Sequence, residues 1–206
     1  PDFAKKLHEY FAEPIAADVE ATRLDPGNVL YVRWLNHFRF RELSGMHDPV
    51  TTAVIYPPDA AKVGQEIVDQ VSAARVLCPG FGKLYTLLGK IQWDLLDQSQ
   101  GPKNLELGHK LRPGDGEPLF YLSQVAGEQG RWDDAAQWAK KCFTVDTQYE
   151  TLLINFFVHQ YHHPEVAYEA LSDRPFSLNQ LAEAVKSDPS QKVLYDRIQD
   201  RLLAAS

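Results

Sequence analysis

A period of thirty-four residues is the strongest constraint in this chain. Pro79 and Pro113 stand one period apart, each two residues after a leucine (Leu77, Leu111) and each followed by glycine. One period further lies Thr147, just after Val145-Asp146. Within the period the pattern is helical. Residues 116–149 predict two amphipathic helices, about 117–128 and 132–145, joined by a tight turn at Gly130. A fixed period of this length means one small supersecondary unit repeated, and a single helical hairpin cannot bury its apolar face alone.

The rest of the chain is read against that unit. Phe3, Leu7, Tyr10 and Phe11 predict an N-terminal helix that Pro14 breaks or restarts, with Ile15, Val19 and Thr22 continuing as a second short helix. Asp25-Pro26-Gly27-Asn28 is a turn. Residues 29–43 predict a helix whose face is Val32, Leu35, Phe38 and Leu43, with Trp34 and Phe40 off that face. Residues 44–61 hold three prolines and the β-branched run Val50 to Ile55, which predicts a long loop with an extended piece. Helices follow over 62–78, 82–97, 102–111, 150–162 and 164–172, and over the tail 177–186 and 189–203. No strand is expected.

Charge and composition exclude several functions. The 206 residues carry a net charge of −7, against the basic excess of a general nucleic-acid binder. The charge is uneven: −3 over residues 1–26, +2 over 27–113 and −6 over 114–206, so an anionic ligand would prefer the middle. No run of about 18 apolar residues predicts a membrane helix. Two cysteines, Cys78 and Cys142, make no CxxC motif. Lying in separate hairpins, they are expected to be buried, unpaired small hydrophobes. The chain begins at Pro1 rather than Met, so it is expected to be a piece of a longer protein. The compartment is not set by these residues, and a soluble domain in the cytoplasm or on the outer side of a membrane-anchored protein fits them.

No catalytic motif emerges, and neither an enzyme activity nor a cofactor is expected. Gly80-Phe81-Gly82-Lys83 lacks the earlier glycine and the preceding strand of a phosphate loop, since Leu77 stands where that glycine belongs. His159, His162 and His163 have helical spacing that could hold a metal, but the reading preferred is surface histidines beside the turn at Pro164.

The hairpin pattern resembles the tetratricopeptide repeat (TPR) family. In residues 82–115 the resemblance rests on Tyr85, Leu88, Gly89 and Pro113, with Gly101 and Gly108 at the family's small positions. In 116–149 it rests on Leu119, Leu122, Gly130, Trp132 and Ala135, with Cys142 as the small residue. Pro26 and Pro79 are 53 residues apart, one period plus an insertion of nineteen, so 29–81 reads as a repeat interrupted by the 44–61 loop. Residues 150–172 read as a degenerate repeat, with 1–28 and 173–206 as terminal helices. The resemblance implies an all-α fold, a right-handed superhelical solenoid of helical hairpins with irregular capping helices, forming a single domain over 1–206.

It also implies a role. In that family the first helix of each repeat lines a concave groove that takes peptides or partner helices. The matching outward positions are Arg33, His37, Phe40, Arg41, Lys83, Thr86, Lys90, Trp93 and Gln124. Their cations suit an acidic peptide through charge-assisted hydrogen bonds. Phe40 and Trp93 would be the apolar anchors. The expected function is a non-catalytic protein-interaction scaffold. The alternative is an accessory TPR domain of a larger enzyme or membrane-anchored glycan-handling protein. Against the groove stands the reading of these residues as a solvated face, or as a face the C-terminal helices fill.

Overall fold

The computed structural model describes residues 2–45 and 54–205. The described residues form eleven α-helices and no strand. They divide into two compact units, residues 1–112 and 113–206. Of the extended piece expected over Val50 to Ile55, residues 50–53 lie outside the described residues.

The first unit holds α1 (Asp2–Leu24), α2 (Val29–Leu43), α3 (Ala60–Leu77), α4 (Gly82–Lys90) and α5 (Gly101–Leu111). Helix α1 runs through Pro14 without a break, contrary to the two helices expected. Proline removes one hydrogen bond. Here most of α1 is exposed, so water can satisfy the freed carbonyl. Asn28 caps α2, its side chain accepting from the Leu30 amide at 3.1 Å. The core joins Phe40 and Leu43 of α2, Ile67, Val68 and Val71 of α3, and Leu84, Leu87 and Leu88 of α4. Phe40 therefore belongs inside, not off the apolar face. Arg39 ties α2 to α3 through Glu66, at 2.9 Å.

Helix α4 continues into a π-helical turn, Ile91–Leu95. Helices α4 and α5 then cross almost backbone to backbone. A methyl group at Gly89 would sit 2.9 Å from the Gly101 carbonyl oxygen, and one at Gly101 would sit 2.8 Å from that of Gly89. The missing side chains at Gly89 and Gly101 are what let the two helices approach.

The second unit holds α6 (Gly116–Glu128), α7 (Trp132–Val145), α8 (Glu150–Asn155), α9 (Pro164–Ala170), α10 (Pro175–Val185) and α11 (Lys192–Ala204). Helix α8 also ends in a π-helical turn, Phe156–Gln160. The core runs through Leu119, Ala135, Ala139, Phe143, Leu153, Phe157, Ala167, Leu178, Leu181 and Ile198. Leu122, one of the residues that carry the family resemblance, is buried. Ser123 donates to the Ala135 carbonyl at 2.9 Å across the α6–α7 crossing. The Cys142 thiol lies 3.4 Å from the Gly116 carbonyl oxygen.

Helices α4, α6 and α8 begin at Gly82, Gly116 and Glu150, thirty-four residues apart each time. Their hairpin turns share one backbone feature, a positive φ at Asp97 (48°), Gly130 (67°) and His162 (56°). Only the middle one is a glycine.

Candidate functional site

Helices α2 and α4 pack against each other within the first unit, and they carry seven of the nine expected groove residues. Their placement corrects the expected outward face. Phe40 and Lys90 are each only 2% exposed. The Lys90 ammonium lies 5.1 Å from the Phe40 ring centroid, so the two form a cation–π contact inside the helix interface. Thr86 is 1% exposed. Its hydroxyl donates back to the Gly82 carbonyl at 3.3 Å, and a methyl at Gly108 would come within 2.6 Å of it. Thr86 is thus a spacer in the α4–α5 crossing. Every residue of α4 except Lys83 is buried, so Lys83 alone of this helix reaches solvent.

Gln124 belongs to the second unit and is also buried. Its carbonyl accepts from the Tyr161 hydroxyl at 3.3 Å. Burial and the nearby Glu128 carboxylate push the Tyr161 hydroxyl above its ordinary titration range. Trp93, in the π-helical turn, is half-buried, with its Cβ against Gly101.

Four of the nine reach the surface of α2 and α4. Arg41 is exposed, while Arg33, His37 and Lys83 are half-buried. Arg33 covers the Trp34 ring at 3.8 Å. Trp34 stacks on Phe38 with centroids 5.7 Å apart, and His37 meets both rings edge-on, at 5.7 and 5.6 Å. Trp34 is 43% exposed despite these contacts. The sequence reading noted it off the apolar face of α2 but did not count it as a candidate, and an arginine followed by tryptophan was the available signal.

The histidine cluster does not converge. His159 and His162 are exposed, whereas His163 stacks on Trp132 at 3.8 Å and its Nδ1 lies 2.7 Å from Glu165. Among the described residues no group of three or more His, Cys, Asp and Glu side chains is placed to hold a metal ion. Both cysteines are free, Cys142 buried and Cys78 only half-buried, which corrects the expectation that both would be buried. Burial, with help from Asp146, Asp115 and Glu150, pushes the Cys142 thiol up to about 12. No helix among the described residues is long and apolar enough to cross a membrane.

A concavity lies in the second unit. Between α8 and α10 lies a groove of about 330 Å³, lined by Thr151, Ile154, Asn155, Phe176, Asn179, Gln180 and Glu183. The sequence reading treated α10 as a cap. The signal lay in its periodicity: residues 176, 179, 180 and 183 form one helical stripe, opposite the buried Ser177, Leu178, Leu181, Ala182 and Val185.

No protein-family model matches the chain, and no curated protein matches it in sequence. Solved structures do match in fold. TTC0263, a thermophilic TPR protein of Thermus thermophilus, is 13% identical over 98% of this chain and 96% of its own, with a TM-score of 0.61. MamA is 17% identical over 94% of this chain and 92% of its own, with a TM-score of 0.52. YrrB, described as a TPR protein with an unusual peptide-binding site, is 16% identical over 95% and 89%, with a TM-score of 0.51.

Proposed function

We propose that this chain, whose fold is that of the TPR proteins, is a non-catalytic scaffold that holds a peptide or helix of a partner protein. The observation that carries the reading is the surface of α2. A tryptophan left 43% exposed beside an arginine and a histidine offers a partner the aromatic and cationic side chains that binding anchors favour. Arg33, Arg41 and Lys83 supply positive charge on α2 and α4, which suits a partner bearing carboxylates. YrrB carries a peptide-binding site by its own description, and the step from that protein to this one is ours.

Lys90 is unsuited to a test of this surface, because charge reversal there would disturb the core. Arg41→Glu with Lys83→Glu changes side chains that reach the surface. Affinity capture from native lysate should lose an acidic partner with this pair, and also with Trp34→Ala, while the helical circular dichroism and Tm hold. Capture that is the same for wild type and all variants would dismiss the reading.

A further inference from the structure

Three helix ends meet at one end of the first unit. Helix α3 runs antiparallel to α4: the Arg75 guanidinium lies 5.5 Å from the Tyr85 ring centroid, and a methyl at Gly64 would meet the Leu95 side chain at 2.6 Å. Helix α4 is antiparallel to α5 in turn. Gly82 lies against Gly108 and Leu111 at one end, and Gly89 against Gly101 and Leu105 at the other. The last turns of α3 and α5 therefore flank the first turn of α4.

The connection from α3 to α4 is held in place. The Cys78 amide donates to the Ala74 carbonyl and the Phe81 amide to that of Cys78, each at 3.1 Å, and Phe81 packs against the core. Apolar side chains nevertheless stand outward around it. Val76 is 78% exposed and Leu77 65%, and Leu111 of α5 is exposed as well. A methyl at Gly80 would meet nothing within 4 Å, so the turn projects clear of its neighbours.

The charge around these tips has one sign. The chain holds no acidic residue from Gln70 to Trp93, and none from Leu107 to Gly114, although Glu106 and Asp115 bound the second run. Arg75, Lys83, Lys110 and Arg112 all fall in these runs, with Lys110 and Arg112 exposed. This is a cationic end on a chain whose net charge is −7.

Apolar tips among cations select a class of partner. A second copy of the chain would set cations against cations. An interface between two folded proteins needs closely matched surfaces, whereas a lipid headgroup layer yields around separate projecting side chains. Lysine and arginine keep their charge among headgroups while their stems, and leucine or valine beside them, reach the acyl boundary. Anionic lipids attract such clusters.

We propose that this end of the first unit seats on an anionic lipid bilayer. Val76, Leu77 and Leu111 enter the boundary between headgroups and acyl chains, while Arg75, Lys83, Lys110 and Arg112 meet the anionic headgroups. The contact is peripheral, made by helix ends and a turn. It does not depend on the α2 reading above, with which it shares only Lys83.

The test sediments the full chain with sucrose-loaded phosphatidylcholine vesicles, with and without about 30% phosphatidylserine. The chain should pellet with the anionic vesicles only, and salt at about 0.5 M should release most of it. Lys110→Gln with Arg112→Gln should lower the partition coefficient about 25-fold, about fivefold per cation. Val76→Ser with Leu77→Ser should lower it about tenfold or more. All four positions are exposed, so Tm should hold. Phe176→Ser, at an exposed apolar residue of the second unit, should partition as wild type does. These variants leave Trp34, Arg41 and Lys83 intact, which separates the outcome from that of the α2 surface. Equal sedimentation with neutral and anionic vesicles, or wild-type partitioning by either pair, would overturn the proposal. So would failure to sediment with any vesicle. If soluble polyglutamate then binds the chain and the Lys110→Gln, Arg112→Gln pair loses it, this end serves an acidic protein instead.

Discussion

The Lys90 ammonium sits 5.1 Å from the centre of the Phe40 ring, and the two residues come from helices fifty positions apart in sequence. Both are all but inaccessible to water. The contact turns a residue that reads as a groove cation into part of the α2–α4 interface. Phe40→Ala should cost about 3–5 kcal/mol, the usual range for deleting a buried phenyl ring. Lys90→Glu should destabilise as well, since it buries a carboxylate against the face of an aromatic ring. Urea denaturation followed at 222 nm reads both, and wild-type midpoints would mean that α2 and α4 do not pack as described.

The α4–α5 crossing should tolerate no added carbon. A methyl at Gly89 would meet the Leu105 side chain at 2.6 Å and its backbone nitrogen at 2.8 Å, and one at Gly101 would meet the Trp93 backbone nitrogen at 2.7 Å. Backbone atoms cannot swing aside as a flexible side chain can. Gly89→Ala and Gly101→Ala should each lose about 1–3 kcal/mol, the range for overpacking. Gly80→Ala, at a glycine where added atoms meet nothing within 4 Å, is the control expected to stay close to wild type.

The hairpin turns predict substitutions of opposite sign. His162 has φ +56° and Gly130 has φ +67°. Left-handed backbone costs a residue with a Cβ about 1–2 kcal/mol and glycine almost nothing. Gly130→Ala should therefore destabilise by about 1 kcal/mol. His162→Gly should be neutral or stabilising, although it removes a side chain. Thermal unfolding of the two variants beside wild type decides it, and a large loss for His162→Gly would mean the side chain matters more than the backbone.

A pH dependence follows from His8. Its ring bonds to the Glu42 carboxylate, linking α1 to α2, and that hydrogen bond and charge raise its pKa above the ordinary 6.5. A raised pKa means that the folded state holds the proton more tightly than the unfolded chain. The stabilising contribution is complete below about 6.5 and fades as pH rises through the folded value. The His8 imidazole resonances should titrate above 6.5 in the native protein by NMR. Glu42→Gln should bring that midpoint back down and flatten the pH dependence of Tm between about 6 and 8. A midpoint at or below 6.5 in wild type would disprove the contact.

The two thiols should differ in reactivity. Cys142 is fully buried and its thiol is pushed up to about 12, so almost none is thiolate near neutral pH. Cys78 is half-buried. Iodoacetamide on the native chain at pH 8 should label Cys78 well before Cys142, with both labelled in denaturant. Mass spectrometry of tryptic peptides gives the order, and rapid native labelling of Cys142 would contradict the α6–α7 packing.

Much of the local architecture was legible from the chain itself. Apolar spacing and turn residues are local signals, and they identified helical hairpins and the TPR likeness. The helix starts at Gly82, Gly116 and Glu150 keep the same spacing as the prolines that first revealed it. The close approach at Gly89 and Gly101 was also readable, because only a missing Cβ permits it. The continuous helix through Pro14 was not, since proline's local penalty is visible in sequence while its solvent relief is not. The left-handed turns at Asp97 and His162 were hidden too, because aspartate and histidine do not announce the conformation as Gly130 does.

What only the tertiary structure decided is which polar side chains reach solvent. Helical spacing puts Lys83, Thr86 and Lys90 on related turns of α4 and says nothing of what lies opposite. Phe40 covers Lys90, Gly108 covers Thr86, and α4 is left with almost no exposed face. Likewise Thr151 and Asn155 meet Phe176, Asn179, Gln180 and Glu183 only because α8 and α10 pack side by side. Periodicity along one helix sets which residues share a stripe. Whether that stripe becomes core, interface or groove depends on the partner helix, supplied from another part of the chain.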